Sequence, residues 1–256
     1  IPTSEVRDRR YIIEHADAVI TVCGMKHSDE GEYIFIIGGD RKELGLKNRD
    51  VKMIKEVSSL NKNSIVVLIG GNMIRMNEWH DNVNSVLFAY YPGMEGGNAL
   101  ADILSGDANP AGKLPFTVAE RAEDYPTFLH LGTKDKNIEY GYYHGYTLFD
   151  KKGIKPHFPF GFGLSYTDFE VGTLPCERVG DVIRVKATVK NIGNVDGDEV
   201  LQVYIGSDNK DADRPVKALK GFKRVSVKAG ESADVVVNVE TDDIKLVFAD
   251  TVITAI

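Results

Sequence analysis

The stretch AVITVCGMKHSDEGEYIFIIGGDRKEL, residues 18–44, opens on a short β-branched apolar run closed by Gly24 and passes into a loop of acidic side chains and glycines. The run at 18–24 predicts a strand buried on both faces of a parallel sheet. In open α/β sheets, ligands meet the loops beyond the carboxyl ends of such strands. Asp29, Glu30 and Glu32 stand there. Position alone leaves them two roles, solvated surface in an acidic protein or ligand chemistry.

Outward from this stretch, residues 5–118 alternate helical and strand signals. A charged helix is expected at about 5–16, then the strand 18–24, a helix at 48–60 and the strand SIVVLIGG at 64–71. The strand VNSVLFAYY at 83–91 and a helix at 97–105 follow. Such alternation means parallel strands joined by crossover helices. The helix at 48–60 carries Val51, Ile54, Val57 and Leu60 on one apolar stripe, with lysines and Glu56 opposite.

Residues 120–166 form a Tyr-, Gly- and Pro-rich connection, too aromatic for a disordered linker. Beyond it the period becomes two: VIRVKATVKN at 182–191, EVLQVYIG at 199–206 and SADVVVNVE at 232–240 read as strands, with NIGNVDG and VKAGES as turns. Strands of this length and spacing predict a small β-sandwich of the immunoglobulin or fibronectin type III kind. The expected domains are therefore an α/β sandwich at 1–119, a packed connection at 120–166 and a β-sandwich at 167–256. The last is expected to lack a closing strand, and the chain to be a piece of something longer.

Composition narrows the function. A chain of 256 residues, 43% hydrophobic and 27% charged, has ample material for a core. Its net charge of −7 disfavours a nucleic-acid backbone or an anionic membrane as partner. Two distant cysteines, Cys23 and Cys176, and six scattered histidines show no disulfide framework and no metal-ligand spacing, so neither metal nor cofactor is expected. No apolar run reaches the ~18 residues of a membrane helix. The N-terminal residues are too charged for a secretory signal, and the compartment is not legible.

Three long motifs then occur in order: GMEGGNALADILSGDANPAGKLPFTV at 93–118, YGYYHGYTLFD at 140–150 and FPFGFGLSYTDFE at 158–170. Together they closely resemble the C-terminal half of glycoside hydrolase family 3. RPVKALKGFKRVSVKAGES at 214–232 is similar to the fibronectin-like domain that follows in many members. The resemblance implies a mainly parallel six-stranded α/β sandwich followed by a fibronectin type III-like β-sandwich. It also implies part of a retaining β-glycosidase, commonly a β-glucosidase or β-xylosidase, whose nucleophile belongs to a barrel absent from this chain.

In glucosidase-like members the general acid/base comes from a Glu-Gly loop placed before an Asp-Arg pair. Here that pattern falls on Glu30-Gly31 and Asp40-Arg41, with the eight residues EYIFIIGG between them, an insertion some β-glucosidases share. Glu30 is thus the implied acid/base, with Glu32 and Asp29 as fallbacks, and Asp40 with Arg41 is expected to form a structural ion pair. Retaining hydrolysis needs two carboxyl groups about 5 Å apart, one ionised nucleophile and one proton donor, and a loop can supply the second.

The implied partners are a β-glucoside or related oligosaccharide and the catalytic barrel of the same protein. Self-association into a homo-oligomer is left open. Trp79, Tyr90, Tyr91, Tyr140, Tyr142 and Tyr143 have faces suited to a pyranose, though packing is the commoner use of such rings. The rival readings are a non-catalytic carbohydrate- or protein-binding scaffold and β-xylosidase specificity.

Overall fold

The computed structural model describes residues 6, 8–30, 41, 43–126, 141–173, 175–207, 213–240 and 251–255. The chain divides into two compact units, Ile1–Ala101 with Val118–Glu139, and Asp102–Thr117 with Tyr140–Ile256.

The first unit is built on three parallel strands, β1 (Val19–Gly24), β2 (Ser64–Ile69) and β3 (Ser85–Tyr90), in that spatial order. β1 runs in register with β2 from Val19 opposite Ser64 to Gly24 opposite Ile69. β2 is central, and its Val66, Val67 and Leu68 are fully buried. Ahead of β1 lies the helix α1 (Arg10–His15), and Val6 and Asp8 before it are helical too. A four-residue helix α2 (His27–Glu30) follows β1, and α3 (Asn48–Leu60) takes the bounds its apolar stripe predicts. Val51, Ile54 and Val57 are buried. Asn61, at the end of α3, donates its amide to the Ile13 and Ala16 carbonyls at 2.9 and 2.7 Å, tying α3 to the end of α1.

β1 corrects one expectation. Thr21 and Cys23 are buried, but Ile20 and Val22 are 48% and 56% exposed, so the strand is buried on one face only. Among the described residues β1 lies at the edge of the sheet, and side chains alternate between faces along a strand. An apolar run cannot by itself distinguish edge from centre.

Trp79 is 1% exposed within the first unit, in keeping with packing as the commoner use of such a ring. It is a packing residue with no face to offer a sugar.

The helix α4 (Gly96–Ser105) follows β3 as its motif predicts. Within the aromatic connection the structure adds a helix not expected from the sequence, α5 (Gly145–Lys152). Thr147 Oγ1 donates to the His144 carbonyl at 2.7 Å at its start, and Gly153 ends it in the left-handed conformation, φ +63°.

The second unit is a two-sheet sandwich. One sheet pairs β4 (Phe169–Thr173), β5 (Glu177–Val179) and β9 (Ser232–Glu240) around β6 (Val182–Asn191). The other orders β10 (Thr251–Ala255), β7 (Gly197–Ser207) and β8 (Lys217–Val227). The residues after 250 thus supply a strand on β7.

Alternating residues make the core: Ile183, Val185, Ala187 and Val189 from β6 meet Leu201, Val203 and Ile205 from β7 and Val235, Val237 and Val239 from β9. Each large aliphatic buried this way contributes about 1.5–3 kcal/mol. Residues 102–117 are strapped to the sandwich by Leu114 N–H to the Phe162 carbonyl at 2.8 Å and by the Lys113–Glu199 ion pair at 2.8 Å. Gly163 permits that approach, since a Cβ there would lie 2.1 Å from the Gly112 carbonyl oxygen.

Candidate active site

The carboxyl ends of β1, β2 and β3 each deliver one part of a small polar cleft of about 320 Å³, lined by Asp29, Glu30, Arg41, Gly71, Asn72 and Tyr91. Glu30 is the last residue of α2 just beyond β1, Gly71 follows β2, and Tyr91 follows β3. Asp29 and Glu30 stand beyond the carboxyl end of β1, at the strand ends where α/β sheets hold ligands.

The Glu30 carboxyl is nearly buried, its side chain 12% exposed. Oε2 accepts the Gly71 N–H at 2.8 Å and the Tyr91 phenol. Oε1 lies 3.3 Å from Arg41 Nε and, among the described residues, has no hydrogen-bond partner. Arg41, itself 11% exposed, also donates from Nη2 to the Met73 carbonyl at 2.9 Å. The guanidinium expected to pair with Asp40 therefore faces Glu30, and Asp40 lies outside the described residues. Burial of two opposite charges, with further donors on the carboxylate and an acceptor on the guanidinium, is the arrangement that offsets their desolvation.

Asp29 differs in environment. Lys47 Nζ lies 2.8 Å from both its carboxylate oxygens, and the Lys26 N–H reaches Oδ2 at 3.0 Å. The Lys47 ammonium, with the Lys26 amide, holds this carboxyl below the usual carboxylate range. Asp29 is accordingly fixed as an anion and cannot lend a proton near neutral pH. Glu32, the other fallback, lies outside the described residues.

Gly71 and Tyr91 are the residues sequence reasoning missed in these roles. Gly71 leaves room for the Tyr91 ring, because a Cβ would stand 2.7 Å from Tyr91 Cε2 and 3.4 Å from Glu30 Oε2 and the ring would have to shift. Tyr91 reaches the carboxyl through two local irregularities. The β2–β3 register shifts so that Leu68 faces Phe88 but Ile69 faces Tyr90, and Tyr90 adopts φ +54°. The hydrogen bond to Glu30 pushes the Tyr91 phenol above its ordinary pKa. The available signals were the Gly70-Gly71 and Tyr90-Tyr91 doublets at two strand ends.

The other aromatic candidates sit elsewhere. Tyr142 is 71% exposed and packs edge-on against Tyr143. Tyr143 donates to Asp213 at 2.7 Å and carries the Lys151 ammonium 3.8 Å above its ring. Tyr140 lies outside the described residues. Among the described residues no cluster of metal-ligating side chains occurs, and no helix is long and apolar enough to cross a membrane.

Comparison with known proteins bears on this geometry. Residues 4–166 match the glycosyl hydrolase family 3 C-terminal domain, and residues 199–252 match a fibronectin type III-like domain. The chain is 36% identical over 236 residues to thermostable beta-glucosidase B of Acetivibrio thermocellus, covering 90% of this chain and 30% of that protein. It is 33% identical over 230 residues to an exo-alpha-(1->6)-L-arabinopyranosidase of Bifidobacterium longum, covering 89% and 30%.

Among solved structures, the beta-glucosidase of Kluyveromyces marxianus in complex with glucose superposes with a TM-score of 0.84 at 34% identity, over 94% of this chain and 28% of that one. The chain thus spans about 30% of the length of the curated relatives it matches. Motifs, fold and relatives agree that the chain belongs to glycosyl hydrolase family 3 and carries that family's C-terminal domain, with a fibronectin type III-like domain after it.

Proposed function

We propose that this chain is part of a retaining β-glycosidase, a β-glucosidase, that hydrolyses terminal nonreducing β-D-glycosyl residues. It supplies the general acid/base and the aglycone-side wall, and a barrel outside the chain supplies the nucleophile. The observation that carries this reading is the Glu30 carboxyl, held at three parallel strand ends in an open polar cleft. The relatives named beta-glucosidase support the substrate class.

In the first step the Glu30 proton passes to the glycosidic oxygen as the C1–O bond breaks and the nucleophile carboxylate bonds to C1. In the second, water gives its proton to the Glu30 carboxylate while its oxygen displaces the nucleophile. Arg41 neutralises Glu30 while it is ionised between the steps.

The test is Glu30→Gln in the barrel-containing protein. The expected result is a loss of about 10²-fold or more on aryl β-glucosides with poor leaving groups. Activated substrates should be nearly spared at the first step, and azide should restore rate. Unchanged kinetics on every substrate would refute the assignment. The 256 residues alone are expected not to turn over an aryl β-glucoside, and turnover by them would overturn the division of labour.

A second reading, a non-catalytic scaffold, rests on the same contacts, since Glu30 ties loops from three strand ends together. It expects Glu30→Gln to change stability and leave rates alone.

A further inference from the structure

We infer that Tyr91 is a positioning residue for Glu30: its phenol and the Gly71 amide fix Oε2 and with it the plane of the carboxyl that transfers the proton. The inference rests on the reading of Glu30 as general acid/base and assigns the geometry within it.

A carboxyl oxygen offers two in-plane lone pairs. Oε2 meets both the Gly71 N–H at 2.8 Å and the Tyr91 phenol, two contacts that hold this oxygen in place. Oε1 is buried, has no hydrogen-bond partner among the described residues, and stands 3.3 Å from Arg41 Nε. A guanidinium only donates, so Arg41 at Oε1 favours the ionised form of the carboxyl. Oε2 is therefore the anchor: its two partners set the plane of the carboxyl that gives the proton to the leaving oxygen and takes it back from water.

The anchor is built at some cost to the backbone. Tyr90 is the one non-glycine residue at positive φ, +54°, among those described. That conformation costs an L-residue free energy that ordinary strand geometry would not. It occurs where the ladder slips by one residue at Ala89, and together these turn the chain so that Tyr91 meets Glu30 across 61 residues of sequence. Gly71 completes the cradle by leaving room for the Tyr91 ring, which a Cβ would meet at 2.7 Å. Strain, a register slip and a closely packed glycine at one carboxyl oxygen are better explained by orientation than by packing, since the Tyr91 residue is 55% exposed.

The experiment compares Tyr91→Phe, Gly71→Ala and Glu30→Gln in the barrel-containing protein, using aryl β-glucosides with phenyl and 2,4-dinitrophenyl leaving groups. Tyr91→Phe should lower kcat on the phenyl glucoside about tenfold or more with KM within about twofold, and change the dinitrophenyl rate by less than about threefold. Gly71→Ala, which displaces the ring without removing the hydroxyl, should give the same pattern. Equal losses on both leaving groups, or unchanged kcat in both variants, would overturn the positioning role if Glu30→Gln still shows the leaving-group split and azide rescue. Absence of that split in Glu30→Gln would overturn the acid/base reading itself, and the positioning role with it.

Discussion

Breaking the Arg41–Glu30 pair offers the most direct physical test of the cleft. At 3.3 Å and an effective dielectric near 20, the attraction of the two charges is about 5 kcal/mol. Both side chains are about nine-tenths buried, so desolvation of several kcal/mol opposes that gain. Arg41→Met should therefore destabilise by about 3 kcal/mol, because it leaves Oε1 buried without a cation and removes the donor to the Met73 carbonyl. Glu30→Gln should cost about 2 kcal/mol, because its amide group can still accept from Gly71 and Tyr91 but cannot neutralise Arg41.

The double variant should be less costly than the sum by about 2 kcal/mol, and the Met73 contribution cancels in the cycle. Urea unfolding followed by Trp79 emission reads this cleanly. Trp79 is the one tryptophan of the chain, is 1% exposed, and lies in the same compact unit as the pair. Because the pair is nearly buried, the coupling should survive 1 M NaCl, where the screening length is about 3 Å. A coupling below about 0.5 kcal/mol at low salt would refute the claim that the two charges hold one another.

Three further outcomes are expected. Burial, with the nearby Asp50 charge, pushes the Cys23 thiol up to about 11, so at pH 8 an alkylating reagent should label exposed Cys176 and leave Cys23 until urea unfolds the chain; equal labelling in the folded protein would contradict this. Asn191→Ala should destabilise the β-sandwich by about 3 kcal/mol in calorimetry, since buried Asn191 donates to the Val195 and Val227 carbonyls at 2.8 and 3.0 Å and accepts from Thr167 at 2.6 Å and from the Gly193 N–H at 3.1 Å. Burial raises the Tyr125 phenol to about 12, above its ordinary ~10, so the stability its neutral form provides is intact below pH ~10 and lost as pH rises through 12. Tyr125→Phe should thus be less stable than the parent at pH 8 by about 1 kcal/mol, through loss of the Ala119 N–H acceptor, with the gap closing between pH 10 and 12 in Trp79-monitored unfolding.

Much of the fold was legible because its signals are local. The stripe at Val51, Ile54 and Val57 specifies α3, and strict alternation from Val182 to Asn191 specifies β6. Helix α5 escaped because tyrosines and glycines at 140–146 carry no helical period, and its start depends on a Thr147 cap that any turn could share. β1 was read as doubly buried because β-branched residues fill edge and central strands alike, while Ile20 and Val22 depend on what lies beside them.

The sequence by itself determined the family, the alternation that makes a parallel sheet, the period-two β-sandwich, and the acidic loop at a strand end. These follow from spacing within a few residues or from motifs long enough to be specific. Only the tertiary structure decided that Glu30 is buried between two donors on Oε2 and a guanidinium on Oε1, that Asp29 belongs to Lys47, and that Trp79 packs inside. Gly71 and Tyr91 lie 41 and 61 residues from Glu30. Their meeting is set by parallel register, one slipped residue and one left-handed backbone angle, which side-chain periodicity does not encode.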